Sequence, residues 1–121
     1  RVSDTKVELQ NVVGNVKDKH VVIIDDLTES LGTMVQAANE CKKQGATKVT
    51  CAVTHGCLTE TGIKRLAENN SIDEFIHSNT TNTWGNIGFK PANVTELDVS
   101  MLFAKAIRSI NQNESVSELF V

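Results

Sequence analysis

The chain has no tyrosine, one tryptophan, four phenylalanines and a single proline among its 121 residues. Five aromatics leave little with which to stack bases, and a net charge of -3, from 12 basic and 15 acidic residues of interspersed sign, provides no basic field for a phosphate backbone. Nucleic-acid binding is therefore not expected. The longest wholly aliphatic run is Val21 to Ile24, far short of the roughly 20 apolar residues that cross a bilayer, so no membrane association is expected either. Cysteine is scarce and odd in number. Cys41, Cys51 and Cys57 form neither a CxxC pair nor a disulfide framework, which fits reduced, cytoplasmic surroundings. Sequons such as those at Asn69, Asn79 and Asn93 need a secretory route to matter and read as chance. The Gly-rich dinucleotide signature and the GxxxxGK[ST] phosphate loop are both missing. The polar opening, RVSDTKVELQ, begins on Arg1 and lacks the pattern of a secretory signal, so the chain reads as one domain, 1–121, cut from something longer.

What is present alternates between aliphatic runs and helix-like segments, the pattern of an α/β domain on a mostly parallel sheet. Strands are expected at Val7 to Gly14, Val21 to Ile24, Lys48 to His55, Ile72 to Ser78 and Val94 to Val99. Between them, Thr33 to Gly45 carries Met34, Val35, Ala37, Ala38 and Cys41 on one side, has Lys42 and Lys43 in its last turn and stops on Gly45, so it reads as a helix. Thr59 to Asn70 reads as a shorter amphipathic helix through Ile63 and Leu66. Ser100 is expected to cap a helix whose apolar face is Leu102, Phe103, Ala106, Ile107 and Ile110. Residues 79–93, with two glycines and the only proline, are expected to form a loop or hairpin.

One stretch carries the chemistry: VVIIDDLTESLGT, Val21 to Thr33. Four aliphatics in a row read as a strand buried on both faces, so the carboxylates that follow should stand at its end. In open α/β sheets ligands bind just beyond the carboxyl ends of the strands. Asp25 and Asp26 repel each other unless hydroxyl donors or a divalent cation neutralise them, so a sugar diol and magnesium are natural partners. Thr28, Ser30, Gly32 and Thr33 then bring hydroxyls and backbone N–H groups to the positive end of a helix, where one phosphate fits. A diol at one end and a monophosphate at the other describe ribose 5-phosphate. Spacing alone equally accommodates a solvated acidic turn with Ser30 or Thr33 as a helix cap.

This stretch resembles the ribose-phosphate signature of type I phosphoribosyltransferases. QNVVGNVKDKHVVIIDD, GATKVTCAVTHG, SIDEF, VSMLFAKAIRSI and NESVSELF are similar, in order and spacing, to the carboxyl-terminal half of the ribose-phosphate pyrophosphokinase family. The resemblance covers essentially the whole chain. It implies a three-layer, type I phosphoribosyltransferase-like fold with a mostly parallel five-stranded sheet flanked by helices. It also implies magnesium-dependent transfer of the diphosphoryl group of ATP to ribose 5-phosphate, an amino-terminal domain that completes the ATP site, and a homo-oligomer. The 121 residues alone would then be inactive.

Carried over by position, Asp25 holds a ribose hydroxyl with Asp26 beside it, while Glu29, Ser30, Leu31, Gly32 and Thr33 cradle the 5-phosphate. Arg1 matches the last arginine of a catalytic Lys-Arg-Arg loop, and Ser115, Ser117 and Phe120 match a region that binds phosphate and ADP regulators between subunits. No metal ligand is certain, with Asp25 and Asp26 as indirect candidates. The family usually reads Asp-Thr-Gly/Ala/Cys-Gly-Thr where this chain has Glu29-Ser30-Leu31-Gly32-Thr33, and the bulk of Leu31 beside an anion is expected to weaken phosphate binding. That departure leaves a second reading: a non-catalytic, synthetase-associated regulatory subunit with a degenerate loop. A salvage phosphoribosyltransferase is opposed by the SVSELF tail. His55 reads as a packed loop residue rather than a base or metal ligand, Cys57 has no nucleophilic step to serve, and Trp84 with Phe89 reads as loop anchors rather than a stacking platform.

Overall fold

The computed structural model describes residues 14–120. Four strands, β1 (His20–Thr28), β2 (Lys48–Gly56), β3 (Glu74–Ser78) and β4 (Val94–Leu97), alternate with helices α1 (Gly32–Lys43), α2 (Glu60–Glu68) and α3 (Thr83–Ile87). Helix α4 (Ser100–Asn111) and a 3-10 turn at Ser117–Phe120 follow the last strand. The strands are parallel and lie in sequence order, β1-β2-β3-β4. This is the expected parallel α/β architecture; the fifth expected strand, Val7 to Gly14, falls outside the described residues apart from Gly14.

Sequential order has a consequence for layering. Right-handed crossovers that always step the same way put their helices on one face of the sheet. A single core results: Met34, Ala38 and Cys41 of α1, Leu66 of α2 and Trp84 of α3 pack with Val49, Cys51, Val53, Phe75 and Val94 of the strands. Along β1, Val21 and Ile23 face this core, whereas Val22 is 53% and Ile24 79% exposed. The expectation of a strand buried on both faces is thus corrected for the described residues: one face is covered and the other is open. Helix α4 does not cover it, for none of its residues is buried and Phe103, Ile107 and Ile110 are exposed.

Local chemistry accounts for the boundaries. Thr59 caps α2, its hydroxyl accepting from the Gly62 amide at 3.2 Å. Lys42 and Lys43 sit in the last turn of α1, and Gly45 reverses the chain at φ +97°. Ser100 is the first residue of α4 rather than its cap; Asp98 Oδ1 accepts from the Ser100 amide at 2.8 Å instead.

The loop expected at residues 79–93 contains α3, too short for a periodicity to announce it. It forms because Trp84 is buried and its Nε1–H donates to His77 Nε2 at 2.7 Å. The accepting Nε2 leaves the ring proton on Nδ1, where the Ser78 carbonyl lies 2.7 Å away. Glu96 approaches that same accepting nitrogen only to 3.7 Å, so no ion pair forms there.

Candidate functional site

Strand β1 does not stop at the acids. It pairs with β2 through Asp25 opposite Val53 and on to Thr28 opposite Gly56, so Asp25 and Asp26 lie within the strand rather than at its end. Successive strand residues face opposite ways. Asp25 therefore shares the side of Val21 and Ile23, and Asp26 the open side of Val22 and Ile24. They are not a chelating pair. Both are exposed, and the Asp26 amide donates to Asp25 Oδ1 at 2.8 Å, which fixes the first carboxylate against the backbone.

After Thr28, which is buried, Glu29 and Ser30 are exposed and Leu31 turns the chain into α1. Leu31 adopts the left-handed conformation, φ 61° and ψ 8°, which costs a side-chain-bearing residue about 1–2 kcal/mol. Its side chain is 1% exposed and belongs to the core, a burial worth roughly 2–3 kcal/mol. The second effect exceeds the first, and it corrects the expectation of bulk beside an anion. Leu31 points into the core and leaves only backbone on the loop surface.

Helix α1 begins without a side-chain cap, its first helical bond running from the Val35 amide to the Leu31 carbonyl at 2.9 Å. No capping side chain takes up the first-turn amides of Gly32, Thr33 and Met34, which point toward the loop at the positive end of the helix dipole.

Helix α2 holds the loop from behind. The Glu29 carbonyl accepts from the Thr59 amide at 3.0 Å and its hydroxyl at 3.3 Å, and the Ser30 carbonyl accepts from Arg65 Nη1 at 2.9 Å. Gly62 lets the two segments meet, since a Cβ there would lie 2.1 Å from the Glu29 carbonyl oxygen. Thr59, Gly62 and Arg65 were not among the expected site residues. Their spacing of three, which places them on one side of a helix, was the available signal.

The other candidates do not join this loop. His55 Nδ1 lies 2.7 Å from Thr80 Oγ1, a half-buried structural contact. Cys57 is partly buried, and Trp84 is buried while Phe89 is 60% exposed, so the two rings do not form a platform. Ser115 Oγ and Ser117 Oγ are 2.6 Å apart on the exposed terminal turn, with Phe120 74% exposed. Arg1 lies outside the described residues. A cleft of about 440 Å³, lined by Asn79, Thr80, Ser100, Phe103 and Ile107 among others, opens between the ends of β3 and β4 and α4, away from the loop. Among the described residues no three His, Cys, Asp or Glu side chains come together as metal ligands, and no helix is long and apolar enough to cross a membrane.

A parallel α/β sheet whose acidic first described strand leads into a backbone-lined loop and helix is the architecture of the type I phosphoribosyltransferase-like fold class. Residues 2–121 match the family described as phosphoribosyl synthetase-associated domain, and the chain belongs to that family. It is 36% identical over its whole length to a ribose-phosphate pyrophosphokinase of Coxiella burnetii, covering 37% of that protein. A ribose-phosphate pyrophosphokinase of Helicobacter pylori is 38% identical over 93% of the chain and 34% of its own length. The crystal structure of phosphoribosylpyrophosphate synthetase from Mycobacterium smegmatis superposes with a TM-score of 0.76 at 35% identity, over 84% of this chain and 33% of that one. The chain thus spans about a third of the length of the curated relatives it matches.

Proposed function

We propose that this chain is the ribose 5-phosphate-binding part of an enzyme that transfers the diphosphoryl group of ATP to ribose 5-phosphate. The observation that carries the reading is the Glu29–Thr33 loop. Its first two carbonyls are tied back to α2, and no side chain caps the first-turn amides of α1. Such an arrangement suits a phosphate, because carbonyl dipoles turned away leave the positive ends of the amides facing the hollow. Asp25, one strand residue from the covered core, is placed to accept hydrogen bonds from a sugar diol.

Single carboxylates on opposite faces make no protein cage, which fits a magnesium ion carried largely by water and substrate phosphates. Magnesium bound with ATP would neutralise phosphoryl charge; Asp25 and Asp26 would hold it only indirectly. In phosphoryl transfer the protein's own contribution is positioning and charge stabilisation, and the loop supplies the positioning of the acceptor sugar. The reading carries with it an amino-terminal partner domain, a homo-oligomeric enzyme, a cytoplasmic setting and, at Ser115, Ser117 and Phe120, a regulatory contact.

The test is a titration of the isotope-labelled chain with ribose 5-phosphate, following backbone amides. Saturable shifts confined to Asp25, Asp26 and residues 29–34, with no AMP formed when ATP is added, are the expected result. Absence of shifts at millimolar ligand would overturn the reading and favour the non-catalytic, synthetase-associated subunit.

A further inference from the structure

Arg65 is a cation bonded directly to the loop, and the reading above uses only its hold on the Ser30 carbonyl, not its charge. Its Nη1 donates to the Ser30 carbonyl at 2.9 Å and lies 3.1 Å from where a Cβ on Gly32 would stand, so the guanidinium spreads over the Ser30–Gly32 backbone. One hydrogen bond leaves four of its five N–H donors uncommitted to that contact. Among the described residues Lys42 pairs with Asp73, the His77–Glu96 approach at 3.7 Å is the other such contact within 4.0 Å, and neither takes Arg65. An arginine held by a carbonyl, without a carboxylate, next to the uncapped start of α1 adds a fixed positive charge where the helix already presents one.

The placement is built rather than incidental. Gly62 and Thr59, about one and two turns earlier on the same side of α2, fix the distance between helix and loop, so Arg65 reaches Ser30 from a braced position. With its carbonyl bonded to Arg65, Ser30 also turns no free acceptor toward an anion at the amides of Gly32 and Thr33.

We propose that Arg65 is a positioning and specificity-determining residue for the phosphate end of the ligand: it turns the Ser30 carbonyl away from the anion and supplies charge that favours a phosphorylated sugar. The proposal rests on the reading of the loop as a ribose 5-phosphate site. Its chemistry separates two roles. A purely structural arginine would be replaceable by any donor that reaches Ser30, whereas one that also acts through charge would not.

The experiment measures ribose 5-phosphate and inorganic phosphate binding by amide shift for the wild-type chain and for Arg65→Ala, Arg65→Gln and Arg65→Lys, at two salt concentrations, with melting temperatures alongside. Arg65→Ala is expected to weaken both ligands about tenfold and to flatten the salt dependence, the scale of one charge-assisted interaction. Arg65→Lys should recover most of the loss and Arg65→Gln should not. Unchanged affinity in Arg65→Ala, or full recovery in Arg65→Gln, would overturn the assignment of Arg65 while leaving the loop reading intact. A wild-type chain that binds neither ligand would overturn both. Should the alanine variant unfold, the contrast between glutamine and lysine still decides the question, because both keep a donor and only one keeps the charge.

Discussion

At the scale of single residues, Leu31 is where two local rules conflict. A left-handed backbone favours glycine, yet a leucine stands there with its side chain in the core. Leu31→Ala keeps the strained backbone and removes the packing, so it should destabilise the chain by roughly 2–4 kcal/mol. Leu31→Gly removes the same packing but relieves the strain, and should be more stable than the alanine variant by about 1 kcal/mol. Urea unfolding of the two variants checks the order; an alanine variant as stable as the glycine one would mean that Leu31 carries no strain. The thiols are equally local. Burial first, and the neighbouring Cys41 second, push the Cys51 thiol up to about 12, which leaves it inert near neutrality. Phosphoryl transfer needs no thiolate, and the buried cysteines supply none.

At the scale of elements, α1 and the loop before β3 are joined by Lys42, whose Nζ lies 2.7 Å from Asp73 Oδ2. Burial alone would raise the Asp73 carboxyl. The Lys42 hydrogen bond, the Val49 amide and the charges of Lys42 and Lys48 outweigh it and hold the group below its ordinary value. A carboxyl lowered in the folded state stabilises the fold above its unfolded value, and that contribution is lost as pH falls through the folded one. Asp73→Asn should therefore cost stability near pH 7, by less than about 1 kcal/mol for so exposed a pair, and cost progressively less as the pH falls through the folded value. Thermal melts of both proteins should converge on acidification; a pH-independent difference would mean that the Asp73 charge does not stabilise the fold.

At the scale of the whole molecule, a sequentially ordered parallel sheet has put its helices on one side and left Val22, Ile24 and Leu97 exposed on the other. Helix α4 adds Met101, Phe103, Ile107 and Ile110 to the exposed apolar surface. Contiguous exposed apolar surface binds apolar dyes. The chain should enhance ANS fluorescence, and Ile24→Thr with Phe103→Ser should reduce that enhancement while changing stability by no more than about 0.5 kcal/mol per site. An unchanged dye signal, or a loss of stability on the scale of Leu31→Ala, would mean that the described face is covered in solution.

Much of this was legible in the sequence for physical reasons that operate locally. Aliphatic runs became strands, the Lys42-Lys43-Gln44-Gly45 stop ended α1, and the spacing of apolar residues placed α2 and α4. The acidic strand leading into Ser30-Leu31-Gly32-Thr33 marked the candidate site because carboxylates, hydroxyls and a helix start are adjacent in the chain. What the sequence could not decide depends on which residues meet across space. Asp25 and Asp26 look like a pair in one dimension, but the pleat of β1 sends them to opposite faces. Leu31 looks like an obstruction until the turn of the backbone directs it into the core. The His77–Trp84 bond that makes a helix of a loop joins two elements, and Arg65 comes to Ser30 only because α2 packs against the loop after β1 with Gly62 at the contact. Local pattern determined the elements and the chemistry on offer; packing decided which carbonyls turn away, which face stays open and which cation stands beside the loop.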